Sequence, residues 1–122
     1  GLFKLKKLYY RKDRIKSFKC RIKKKIITKN LAWCDDPNHK NYNEEIKDFS
    51  NKSREKFYRI DNKYDFLISI NHNQKKTPYK GSAIFLHLTD NYKPTAGCIA
   101  LKKKDFQILL KLINQNTKIK IG

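Results

Sequence analysis

The chain has 122 residues, room for one domain with a modest core, and carries 30 basic against 11 acidic residues for a net charge of +19. Such a surplus attracts polyanions of any kind, yet its lysines are scattered in short runs and outnumber the arginines suited to reading base edges, so specific nucleic-acid recognition is not expected. No run reaches the roughly 18 apolar residues of a membrane span, and the odd count of three cysteines, Cys20, Cys34 and Cys98, does not make a disulfide scaffold.

In chain order, strand chemistry begins at once with Leu2, Phe3 and Leu5, and because the chain opens on Gly1 further sequence is expected upstream. Runs rich in Ile, Phe and Tyr and bounded by polar turns predict strands over residues 2–5, 22–27, 56–60, 64–71, 82–88, 98–101 and 118–121. A Cys20–Cys34 bridge remains open. The segment 31–42, LAWCDDPNHKNY, reads as a structural loop: Asp35-Asp36-Pro37-Asn38 is turn chemistry, and Trp33 would peg the turn to the core. Cys34, Asp35, Asp36 and His39 lack a second cysteine at short spacing, so no metal site is expected there. A weak helix is expected over 43–48 and a longer loop over 71–81, broken by Pro78 and Gly81. The persuasive helix covers 103–114, where Phe106, Leu109, Leu110 and Ile113 recur at i, i+3, i+4 and i+7, with Asn116 as a stop.

Two stretches carry candidate chemistry. The run Ser82 to Leu88 is apolar on both faces, as in a strand buried within a sheet, and His87 lies near its end. After a polar loop, Cys98 opens the next apolar run. Antiparallel pairing of these runs would set His87 beside Cys98. A thiol attacks as thiolate, and an adjacent imidazole can take its proton near neutral pH. Cys98 is therefore a candidate nucleophile and His87 its general base. Gly97 would let a substrate carbonyl approach the backbone, whose N–H groups there could form an oxyanion hole. Read alone, the same cysteine and histidine also fit a small buried hydrophobe and a hydrogen-bonded core residue.

GSAIFLH (81–87) followed by PTAGCIAL (94–101), together with WCDDP (33–37) and YDFLISIN (64–71), resembles the L,D-transpeptidase catalytic domain family of YkuD/ErfK type, in its shorter branch. The resemblance spans nearly the whole chain, read as one catalytic domain over 1–122. It implies a mainly β fold, two packed mixed sheets with one C-terminal amphipathic helix, here lacking the branch's N-terminal strands. It also implies a Cys98 nucleophile with His87 as base, Gly97 and Thr95 in the supporting turn, and no metal or organic cofactor. The implied donor is a peptidoglycan stem peptide, cleaved between its third residue and D-alanine and held as a thioester until an amine acceptor arrives. The implied location is the cell envelope. Many members carry a histidine two places before the cysteine and an arginine two places after it; this chain has Ala96 and Ala100. Competing expectations are a non-catalytic wall-binding or scaffold domain and, on charge alone, a basic nucleic-acid-binding module.

Overall fold

A computed structural model describes residues 1–47, 54–89 and 99–121. Its elements are β1 (Leu2–Tyr10), β2 (Lys24–Ile26), β3 (Leu31–Cys34), β4 (Glu45–Lys47), β5 (Arg54–Lys56), β6 (Phe66–Ile70), β7 (Phe85–Leu88), β8 (Ile99–Leu101), α1 (Lys103–Leu112) and β9 (Lys118–Lys120). They form a mixed sheet in the order β2-β1-β6-β7-β8, with β9 also paired to β1, and a three-stranded sheet in the order β4-β3-β5. The mainly β expectation holds, with two sheets and one short helix. Only the larger sheet is mixed, since both pairings in the smaller one are antiparallel.

The chain's hydrophobic pattern explains the layering. In β6, every residue of Phe66-Leu67-Ile68-Ser69-Ile70 is buried, as expected for a strand covered on both faces. Phe66, Ile68 and Ile70 join Leu86 and Leu88 of β7 and meet Phe106, Leu110 and Ile113 from the helical segment. Leu67 and Phe85 join Tyr9 on the opposite face and meet Leu31, Phe57 and Tyr64 from the smaller sheet and its flanks. Each of these large side chains contributes about 1.5–3 kcal/mol by leaving water.

Strand β1 is longer than its pattern suggests. Leu5 and Leu8 share the helix-side face although they are three positions apart, which a regular strand forbids. The register supplies the reason: Leu5 pairs with Ile70 and Lys7 with Ser69, so Lys6 is an extra residue in a β-bulge that resets the alternation. Helix α1 begins where expected and ends at Leu112, with Ile113 N–H donating to the Leu109 carbonyl. Asp105 in the first turn and Lys111 in the last suit the helix dipole. No helix among the described residues is long and apolar enough to cross a membrane.

Three local expectations are corrected. The described part of the segment expected as a helix, 43–47, is not helical: Glu45–Lys47 is strand β4, because Ile46 has a place opposite Ala32 that a single helical turn would not give it. Residues Leu31–Cys34 are strand β3 rather than loop, and turns begin only at 37. The predicted strand at 56–60 starts earlier, as β5, and Phe57 beyond it turns inward to seal the two sheets together. Cys20 and Cys34 are both free thiols, so no bridge joins them.

Candidate active site

Strand β7 lies between β6 and β8, and all four of its residues are buried. Alternation turns Leu86 and Leu88 toward the helix and Phe85 toward the smaller sheet, and His87 takes the Phe85 side. The imidazole is 2% exposed. Its Nδ1 lies 2.8 Å from the Leu88 carbonyl oxygen, so Nδ1 is assigned the proton and donates it there. Nε2 then carries the lone pair, and this buried nitrogen has no hydrogen-bond partner among the described residues. The Tyr64 ring meets the imidazole edge-on at 5.6 Å between centroids, and the Tyr64 hydroxyl donates to Glu55 Oε1 at 2.6 Å.

Burial pushes the His87 pKa below the usual imidazole value, and the nearby charges of Lys63 and Arg59 push the same way, against the Leu88 carbonyl and Glu55. The side chain is therefore a neutral imidazole at neutral pH, with an acceptor nitrogen and a fixed ring plane. That is the form that can receive a proton.

The pairing of β7 with β8 differs from the expected hairpin. The two strands run parallel, with Leu86 opposite Ile99, His87 opposite Ala100 and Leu88 opposite Leu101. A link of ten residues, 89–98, separates them in sequence. Parallel pairing excludes a hairpin between the two strands, and at roughly 3.3 Å per residue ten residues are enough chain for the return past so short a strand. Cys98, Gly97 and Thr95 lie outside the described residues, as does Ala96. Just upstream of β7, Ala83 has φ of 54° and Gly81 φ of 100°, so the chain enters the strand through a sharp, conformationally demanding approach.

Between β1 and the end of β6 on one side and β3 and β4 on the other lies a groove of about 500 Å³, which the sequence did not announce. Trp33 lies on its wall and packs edge-on against Phe85 at 5.3 Å. The Trp33 indole N–H donates to Asn43 Oδ1 at 2.9 Å, and Asn43 Nδ2 donates to the carbonyls of His72 and Asn73 at 3.0 and 2.9 Å. Asn43 thus ties the 71–81 loop to the smaller sheet, at a φ of 59° that asparagine tolerates better than most residues. Deeper in, the Tyr9 hydroxyl donates to Glu45 Oε1 at 2.6 Å, and Glu45 also pairs with Lys25 and, at 3.7 Å, with Lys7. Burial tends to raise the Glu45 pKa, but the hydrogen bonds from Lys25 and Tyr9 and the charges of Lys25 and Lys7 outweigh it and hold the carboxyl below its ordinary value. Burial and the Glu45 carboxylate together drive the Tyr9 hydroxyl upward, so it remains a donor.

Turns follow β3 from residue 37 onward. Asp36 Oδ1 accepts from the Asn38 N–H and His39 Nδ1 from the Asn41 N–H, while Cys34 is fully buried. These side chains scaffold the segment. No curated protein and no solved structure matches the chain. A family model described as the L,D-transpeptidase catalytic domain, YkuD, matches residues 1–121; with nearly every residue covered, the chain belongs to that family.

Proposed function

We propose that the chain is a cysteine-dependent L,D-transpeptidase acting on peptidoglycan stem peptides in the cell envelope, with Cys98 as nucleophile and His87 as its general base and later its acid. The observation that carries this reading is the state of His87: a buried neutral imidazole, its Nδ1 tied to the Leu88 carbonyl and its Nε2 left without a partner. Family membership supplies the reaction class. The strand paired with β7 begins at Ile99, one residue after Cys98, and consecutive Cα atoms are about 3.8 Å apart. The reading requires Cys98 to share the face of Ala100, the register partner of His87, as residues two apart in a strand do.

In the cycle, the Cys98 thiol gives its proton to His87 Nε2 as sulfur attacks the carbonyl between the third stem residue and D-alanine. Backbone N–H groups at Gly97 and Cys98 receive the oxyanion, with Thr95 in the supporting turn; loss of one such donor typically costs on the order of 10²–10³ in rate. The carbon–nitrogen bond then breaks, the imidazolium protonates the departing amine, and the stem remains as a thioester on Cys98. Attack by an amine releases the cross-linked product and the thiol, whereas attack by water gives the shortened stem. The cycle draws only on a thiol, an imidazole and backbone donors.

Mass spectrometry of the protein incubated with a disaccharide tetrapeptide tests the reading. The expected result is a Cys98 adduct with the mass of the donor less D-alanine, absent in Cys98→Ala and strongly reduced in His87→Gln. An unmodified Cys98 under conditions that leave the fold intact contradicts it.

A further inference from the structure

The groove beside Trp33 has an unbalanced set of charges. Its two glutamates are already engaged, Glu45 by Tyr9, Lys7 and Lys25 and Glu44 by Lys76. Two further lysines on the lining, Lys6 and Lys23, have no carboxylate partner among the described residues. Both are exposed. They are held close by the fold: Lys6 is the bulged residue of β1, and the Lys23 carbonyl accepts the Leu8 N–H just ahead of the parallel Leu8–Lys24 register pair. Unengaged ammonium groups at the rim of a recess call for an anion. The wall below them offers an aromatic face at Trp33 and, at His72, a buried Nδ1 with no hydrogen-bond partner.

We infer that this groove is a subsite for a peptide bearing free carboxylates, in which Lys6 and Lys23 hold the carboxylates and Trp33 packs against the peptide, so that the pair selects free over amidated ligands. The inference rests on the proposed function for the identity of the peptide. It stands on separate residues: no residue of β7 lines the groove, and its link to that strand is Trp33, which packs edge-on against the buried Phe85, two positions before His87. Ammonium groups at exposed sites act as point charges whose pull is screened by salt, so selection here is expected to be graded rather than absolute.

The test uses the chain's sole tryptophan. Because Trp33 lines the groove, its fluorescence reports occupancy directly, and using Cys98→Ala protein keeps acylation out of the readout. The probe is the tripeptide alanyl-γ-glutamyl-diaminopimelate, compared with the same peptide fully carboxamidated. The expected result is a saturable fluorescence change with the free acid that weakens with added salt, a markedly weaker response to the amide, and a Kd raised about three- to tenfold by Lys6→Gln with Lys23→Gln. Lys118→Gln with Lys120→Gln, on β9 and outside the groove lining, should leave the Kd unchanged. A matching thermal midpoint shows that each variant folds. Equal binding of acid and amide, or an unchanged Kd in the Lys6/Lys23 variant, overturns the subsite. Failure of Cys98 to acylate while this binding persists would instead count against the catalytic reading alone.

Discussion

Replacing His87 with glutamine should change how stability depends on pH, and the structure fixes both the sign and the ceiling. An unfolded imidazole titrates near 6.5, whereas in the fold burial, seconded by Lys63 and Arg59, lowers the His87 value. Between those two values the unfolded chain holds a proton that the folded chain does not. The contribution is therefore fully present above about pH 6.5 and is lost as pH falls toward the folded value. One proton on one group limits the slope to about 1.4 kcal/mol per pH unit, or roughly 4–7 °C in midpoint for a chain of this size. Urea unfolding of Cys98→Ala protein at pH 7.5, 6.5 and 5.5, with and without His87→Gln, reads the difference. The parent should lose stability toward pH 5.5 more steeply than the His87→Gln form. Parallel curves, or a parent that gains stability on acidification relative to the variant, would refute a buried neutral imidazole.

Phe57 is fully buried and meets Tyr9, Tyr64 and Phe85 edge-on at 5.0, 6.0 and 5.4 Å, so Phe57→Ala should cost about 3–5 kcal/mol in urea unfolding, and Phe57→Leu distinctly less. Equal small losses for both would mean that the two sheets are not held by this ring. Asn43→Ala removes one acceptor and two donated hydrogen bonds at a positive φ, an expected loss of about 2–4 kcal/mol with a shifted Trp33 emission. Asn43→Gly, which relieves φ but not the hydrogen bonds, should recover only part of it by the same assay. Cys34, fully buried, should react with iodoacetamide only after unfolding, which peptide mapping of labelled protein would show.

Much of the fold was legible because burial leaves a periodic trace. The pattern of Phe106, Leu109, Leu110 and Ile113 located α1, and the apolar run Ser82 to Leu88 located β7 as an interior strand. The full length of β1 was hidden by the bulge at Lys6, which puts Leu5 and Leu8 on one face at a spacing no regular strand shows. Strands β3 and β4 are too short to display alternation, and Ile46 found its place through Ala32, a partner fourteen positions away in sequence that no local pattern reveals. The direction of β8 was illegible for another reason. A ten-residue connection suits a hairpin or a crossover, so spacing alone leaves the direction open. At the candidate site, the sequence pointed to His87, but its tautomer depends on a carbonyl of the next residue and its lowered pKa on burial by the smaller sheet. The groove of Tyr9, Trp33, Asn43 and Glu45 was not legible, because five separate segments supply its lining.

The coupling of Cys98 to His87 is tested most directly by the pH dependence of Cys98 alkylation, followed by mass spectrometry on the native chain and on His87→Gln. If the imidazole takes the thiol proton, the parent rate should rise through an inflection below about 6.5, where the pair sheds its first proton, and His87→Gln should move the inflection to about 8.5, the value of an isolated thiol. An inflection near 8.5 in both proteins would contradict the account.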